Sequence, residues 1–206
     1  MAILGMPSRN RETKEQIVEN AVHYKKKNYT NLDAVENLIH YVTRTRKNED
    51  RAGDLIAYGA VGADYFHTVD DMIQQFLYVQ NVNGINSRGG RRMYHEVLNL
   101  LDWEVERLAN SPEWLWNVGM GCSQVYYQMG HQAVFGVHWE PEKRCHIHFA
   151  VNSINFIDGR KWHTSMPEIK GREAVFNEIL YRCQIMATGA IEPLIFLNES
   201  KVSVDA

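Results

Sequence analysis

Three histidines lie close together in the chain: His138, then His146 and His148 with one residue between them. Successive side chains of a β-strand alternate, so His146, His148, Ala150 and Asn152 share one face while Ile147, Phe149 and Val151 take the other, which is the core face. If the strand ending at His138 pairs antiparallel with this one through the turn over 139–145, Phe135 and Val137 join the core. His138 then comes alongside the other two imidazoles. Gly136 and Ala150 are small and leave room for a substrate on that face. Three neutral imidazoles with an open position describe a catalytic divalent-metal site better than a closed structural one. Glu140 is available to accept a ring N–H and orient a ligand. Cys145 alternates away from His146 and reads as a small apolar residue. Without a ligand, the same pattern is a sheet surface carrying solvated histidines.

The elements that must position these residues are legible from periodicity and punctuation. Residues 12–27 have helical character, with a thin stripe of Ile17, Val18, Ala21 and Val22. Thr30 or Asn31 can cap a second helix bearing Leu32, Val35, Leu38, Ile39 and Val42 on its buried face. Tyr41 falls roughly 110° from the centre of that stripe, looking along the sheet edge or into a cleft. Leu55 to Val61 predicts a strand, and Thr68 to Asp71 caps a helix carrying Met72, Ile73, Phe76 and Leu77. A loop over 81–90 precedes a strand from Arg92 to Leu98. Ser111-Pro112-Glu113 starts a helix with Leu115, Val118, Cys122, Val125 and Met129 on one face, ended by Gly130. Strands over 133–138 and 146–156 follow, then an Asp158-Gly159 turn leading to Lys161 and Trp162. A last helix spans 172–187, with Gly189 as its stop. The fold class expected is α+β, a central antiparallel sheet with flanking helices. The helices are expected on the face opposite the histidines. One domain over 1–206, with 190–206 a short C-terminal tail, is the economical organisation.

With 206 residues, 45% hydrophobic and 23% charged, the chain is not of disordered or fibrous composition. No apolar run approaches the roughly 20 residues of a membrane span, and the opening Met1 to Pro7 reads as too short for a signal-peptide core. Three cysteines, Cys122, Cys145 and Cys183, suit neither a disulfide framework nor a zinc knot. A reducing compartment fits. A net charge of -3 argues against coating nucleic acid by bulk charge. The positive charge is clustered instead. Lys25 to Lys27 suit a solvated helix face, whereas Arg44, Arg46 and Lys47, Arg88, Arg91 and Arg92, Lys143 and Arg144, and Arg160 and Lys161 lie in turns or at element ends, within reach of a phosphate.

His138-x-Glu140, His146-x-His148, Asn152-Ser-Ile-Asn155-Phe and Gly159-Arg-Lys161 together resemble the third motif of mobilisation relaxases of plasmids and integrative elements. These are single-strand DNA nickases of the HUH endonuclease superfamily. Upstream, Gly130-His-Gln-Ala-Val134 resembles the lead-in strand, and Gly90-Arg-Arg-Met-Tyr-His95-Glu-Val97 the Gly-Arg-x-x-Tyr-His strand. Leu38-Ile-His-Tyr41-Val42 resembles the motif that carries the nucleophilic tyrosine. The matches follow the family's order over about 35–165. Glu140 stands where the family commonly has Asp, and the turn to His146 is slightly longer than the commonest form.

The resemblance implies that His138, His146 and His148 hold a divalent cation, magnesium or manganese with zinc as the alternative, and that Tyr41 is the nucleophile. It implies a central strand ending in Asn152-Ser153, and single-stranded or hairpin DNA at an origin of transfer as partner. Relaxosome accessory proteins and a coupling protein of a conjugation system would complete the assembly in the bacterial cytoplasm. His95 and Glu140 are candidate bases for the Tyr41 hydroxyl, His95 equally a structural partner and Glu140 a ligand orienter. Arg44, Arg46, Lys47, Arg91, Arg92, Lys143, Arg144 and Lys161 are candidate DNA contacts. Trp139 and Trp162 read as core residues that could alternatively stack unpaired bases. Three other readings stay open: a rolling-circle replication initiator using Tyr181, a three-histidine metalloenzyme acting on a small molecule, and a DNA-binding accessory protein that does not cut.

Overall fold

A computed structural model describes residues 22–24, 29–46, 52–64, 68–139 and 144–189. Along the chain run β1 (Val22–Tyr24), α1 (Ala34–Thr43), a 3-10 turn (Ala52–Asp54), β2 (Leu55–Val61), α2 (Val69–Val82), α3 (Ile85–Arg88), β3 (Met93–Asn99), α4 (Asp102–Arg107), α5 (Pro112–Gln128), β4 (His131–His138), β5 (His146–Asn155) and α6 (Met166–Ala187). The strands form one antiparallel sheet in the order β1-β3-β5-β4-β2. β5 is the central strand. The chain is α+β, as expected.

The helix expected over 12–27 is corrected at 22–24, which pair with Leu98, Val97 and Glu96 of β3. Without β1, this stretch of β3 would present unpaired backbone N–H and C=O groups at the sheet edge. The remainder of 12–27 and the tail 190–206 lie outside the described residues.

Two cores lie on opposite faces of the sheet. Phe135, Val137, Ile147, Phe149 and Val151 pack under α4, α5 and α6, with Leu115, Cys122, Tyr126, Phe176 and Leu180 from the helices. Gly119 lets α5 lie close, since a Cβ there would overlap the Phe135 ring. On the other face Val134, Ala150, Met93 and Ala60 pack against Val35, Leu38, Ile39 and Val42 of α1 and Met72, Ile73 and Phe76 of α2. The histidine face is therefore not free of helices, which corrects that expectation. The apolar stripe of α1 needs a partner, and Val134 and Ala150 supply it from positions flanking the imidazoles.

Helix boundaries follow their caps. Asp33, not Thr30 or Asn31, precedes α1; its carboxylate accepts from Asn37 Nδ2 at 2.6 Å. Leu32 stands outside the helix and is exposed. Thr68 and Asp71 form the capping box of α2. That helix runs to Val82, and α3 occupies the middle of the expected 81–90 loop. On α5, Tyr126 occupies the buried face and Met129 is exposed, so the register of its apolar stripe differs from the one expected. α6 starts at Met166, not 172, because Ser165 and Glu168 cap it reciprocally.

Candidate active site

The β4–β5 register puts His138 directly opposite His146 and Gly136 opposite His148. Direct cross-strand partners share a face, so the three imidazoles converge as the alternation requires. Their ring centroids lie 4.5 Å (His138 to His148), 4.8 Å (His146 to His148) and 5.6 Å (His138 to His146) apart. One ligating nitrogen from each lies within 4.8 Å of the others, and all three residues are buried.

The donor chemistry of this cluster fits a metal ion. His138 Nε2 lies 2.7 Å from the carbonyl oxygen of Val42, and His146 Nδ1 lies 2.8 Å from that of Arg144. A carbonyl oxygen can only accept, so the proton sits on each of those nitrogens and the lone pair on the other one, His138 Nδ1 and His146 Nε2. Neutral imidazoles oriented in this way are ready-made ligands. Cys145 is not part of the group: it is buried in the opposite core, and burial pushes its thiol up to about 12, away from the thiolate a metal needs.

α1 brings Tyr41 to the cluster. Val35, Leu38, Ile39 and Val42 bury one side of the helix, and Tyr41, half-buried on its flank, turns its ring to the histidines. Its centroid is 5.2 Å from His148, 5.7 Å from His95 and 6.2 Å from His138. This is the cleft placement that the helix phase suggested. The helix ends one turn on, with Arg44 in the left-handed conformation at φ 53°. That turns the Arg44 guanidinium over the Tyr41 ring, 5.1 Å from its centroid.

The small residue Gly136 leaves room for α1 and not for substrate, which corrects the reading made from size alone. A Cβ at Gly136 would overlap the Val42 carbonyl oxygen. Ala150 is likewise covered, within the core under α1 and α2. The open space lies beside Tyr41 instead, in a cavity of about 520 Å³ whose walls include Tyr29, Asn37, Leu38, Tyr41, Arg46 and His95.

His95 sits on β3 opposite Ala150, diagonal to His148 on the same face. Its Nε2 is 2.8 Å from His148 Nδ1 and its Nδ1 is 2.9 Å from the Tyr29 hydroxyl. Burial, with Tyr41 adding and Arg46 opposing, pushes the Tyr29 hydroxyl up to about 12. Nothing in the local sequence pattern around Tyr29 signals this partner on β3.

The candidate DNA contacts are scattered. Arg46 is exposed and donates to Asn37 O at 2.8 Å. Arg144 is exposed next to the triad strand. Arg91 lies over the Tyr94 ring at 4.8 Å, and Lys161 Nζ donates to Gly89 O at 2.7 Å. Burial and the charges of Arg91 and Arg92 pull the Lys161 ammonium below its ordinary range. Arg92 is buried and bonds Gln80 and Asn86, so its guanidinium builds the fold and is not held on an open surface. Arg44 is also buried. Lys47, Lys143 and Glu140 lie outside the described residues. Trp162 is a core residue stacked on Tyr94 at 4.6 Å, and Trp139 is exposed just beyond β4. Tyr181 is exposed on α6, whose buried residues pack on the sheet face opposite the histidines.

Comparison with known proteins bears on this arrangement. The model of a relaxase family, described as the MobA/VirD2-like nuclease domain, matches residues 41–184. That span begins at Tyr41, includes His95 and the triad, and covers more than half of the chain. No curated protein matches the chain. Among the described residues, no helix is long and apolar enough to cross a membrane.

Proposed function

The chain belongs to the MobA/VirD2-like relaxase nuclease family, and from that premise we propose that it nicks one DNA strand at an origin of transfer through a 5′-phosphotyrosyl link on Tyr41. The observation that carries this reading is the Tyr41 ring packed 5.2 Å from His148, inside a three-histidine cluster suited to a metal. A family tyrosine placed elsewhere would have no such setting.

Tyr41 Oη attacks the scissile phosphorus, the bond to the 3′ oxygen breaks, and the leaving oxygen takes up a proton as the free 3′-hydroxyl. The phosphodiester is exchanged and not hydrolysed, so the reverse reaction reseals the strand without an energy cofactor. His138, His146 and His148 would hold a divalent cation, which when bound neutralises phosphate charge and polarises phosphorus. Magnesium or manganese is the proposed ion, with zinc, favoured by an all-imidazole donor set, as the alternative. Arg44 lends positive charge to the Tyr41 ring, while Arg46, Arg91, Arg144 and Lys161, with Lys47 and Lys143, are the proposed phosphate contacts. Glu140 remains a candidate base or ligand orienter. His95 is less suited to the role of base, because both of its ring nitrogens are engaged. Relaxosome accessory proteins, a coupling protein and the bacterial cytoplasm complete this proposal, as does one domain for the whole chain.

The test is covalent capture. Incubated with a single-stranded origin oligonucleotide and manganese, the protein should gain the mass of the 3′ fragment on a peptide containing Tyr41. Tyr41→Phe should keep the fold and most of the DNA affinity and lose the adduct. An adduct on Tyr181 would favour the replication-initiator reading, and normal cutting by Tyr41→Phe would overturn the nucleophile.

A further inference from the structure

His138 and His146 have their ring protons fixed by backbone carbonyls, and the third imidazole, that of His148, is met by a side chain. Its neighbour is another histidine. His148 Nδ1 meets His95 Nε2 at 2.8 Å, and His95 Nδ1 meets Tyr29 Oη at 2.9 Å. All three sit around the Tyr41 cavity or directly behind it.

The protons in this chain are not independent. For His148 to offer Nε2 as a ligand, its Nδ1 must carry the proton and donate it to His95 Nε2. His95 Nε2 is then an acceptor, so the His95 proton lies on Nδ1 and is donated to Tyr29 Oη. A phenol oxygen that accepts one hydrogen bond still has its own O–H to give, and Tyr29 lines the cavity beside Tyr41. Burial keeps this hydroxyl protonated.

We propose that His95 and Tyr29 are positioning residues that fix the tautomer and ring plane of His148 as a metal ligand and tie that ligand to the cavity wall beside Tyr41. This inference rests on the reading of the triad as a metal site. Neither residue touches the reacting atoms in this role. Register explains why it is His95 that does this: it pairs with Ala150, one step along the same face from His148, so the two rings meet diagonally across β3 and β5.

The experiment measures manganese affinity of the full chain without DNA, by titration calorimetry, for wild type, His146→Ala, His95→Leu, His95→Gln and Tyr29→Phe. His95→Leu leaves the His148 Nδ1–H without its acceptor, and affinity should fall about 10–100-fold. His95→Gln keeps an amide oxygen able to accept and should stay nearer to wild type than to His95→Leu. Tyr29→Phe should weaken binding less than His95→Leu. Wild-type affinity in His95→Leu would overturn the proposal. No manganese binding by wild type, or unchanged binding by His146→Ala, would instead overturn the metal-site reading beneath it. A measurement on the unmutated chain stands apart from any folding defect. With zinc bound, ring ¹⁵N shifts should put the His95 proton on Nδ1 and the His148 proton on Nδ1, and a His95 proton on Nε2 would overturn the chain.

Discussion

The carbonyl oxygen of Val42 accepts a hydrogen bond from His138 Nε2 at 2.7 Å, so the residue next to Tyr41 sets the ring of a triad histidine. One helix terminus thereby positions both halves of the site. Its close approach is possible because Gly136 presents no Cβ to that carbonyl.

Gly136→Ala should therefore damage function more than stability. The added methyl meets backbone, which cannot swing aside, so the end of α1 must lift from β4. A loss of about 1–3 kcal/mol is expected from overpacking. Nicking and metal affinity should fall further than the melting temperature accounts for, because His138 loses its acceptor and Tyr41 moves with the helix. Gly171→Ala is the control: nothing lies near its missing Cβ, and the change within α6 should stabilise by about 0.5–1 kcal/mol. Equal behaviour of the two variants in nicking assays would contradict the argument.

Metal removal should be separable from DNA binding. A chelator should abolish nicking, and manganese should restore it. His146→Ala should lose more metal affinity than the about 10–100-fold that loss of an outer hydrogen-bond partner costs, with the circular dichroism spectrum unchanged. Hairpin binding, measured by fluorescence anisotropy, should survive better than cleavage, since phosphate contacts generally carry a large share of the affinity of proteins for nucleic acid.

The convergence of the triad was legible because it depends only on the two-residue strand period and one hairpin, and β4 and β5 obey both. The phase of Tyr41 was legible from the Val35, Leu38, Ile39 and Val42 stripe. What those patterns omit is who stands behind each imidazole. The acceptors for His138 and His146 are backbone carbonyls of Val42 and Arg144, and backbone atoms leave no signature in residue type. His95 meets His148 only through the β3–β5 register, which alternation alone does not specify. β1 was hidden because its partner is the distant edge of β3, which the local pattern of 12–27 does not reveal. The early start of α6 was written in the sequence, in the Ser165 and Glu168 box with Pro167 between them, but Gly171 masks its continuity with the rest of the helix.

His131 gives the fold a pH dependence. Its ring is buried beside Trp162, and burial lowers its pKa, although Nδ1 donates to Asn152 O at 2.9 Å. The unfolded chain, with an ordinary value of about 6.5, takes up this proton first as pH falls. The contribution to stability is thus complete above that value and is lost as pH falls through the lower folded value. Melting temperatures between pH 7.5 and 5 should fall less steeply for His131→Gln than for wild type. An identical slope would remove His131 from the account.

The opposite core holds a charged pair whose behaviour can be tested as a cycle. Arg172 Nη2 donates to Glu96 Oε1 at 2.7 Å, Tyr126 Oη donates to Glu96 Oε2 at 2.7 Å, and the guanidinium lies 4.7 Å from the Trp162 ring centroid. Both charged residues are almost fully buried, at 5% and 1% side-chain exposure for Arg172 and Glu96. Removing one partner leaves the other as an unpaired buried charge, so Arg172→Met or Glu96→Leu alone should each cost about 3–5 kcal/mol. The double variant should recover part of that loss, because two apolar side chains of similar bulk need no partner, while the buried Tyr126 hydroxyl loses its acceptor wherever Glu96 is replaced. Denaturant midpoints of the four proteins measure the coupling directly. Additive losses would mean that the pair is not the unit holding α6 to β3. Because Glu96 and His95 are adjacent on β3 and point to opposite faces, the double variant should also leave manganese affinity near wild type, and a large drop would mean that the ion pair sets the β3 register on which the His95–His148 contact depends.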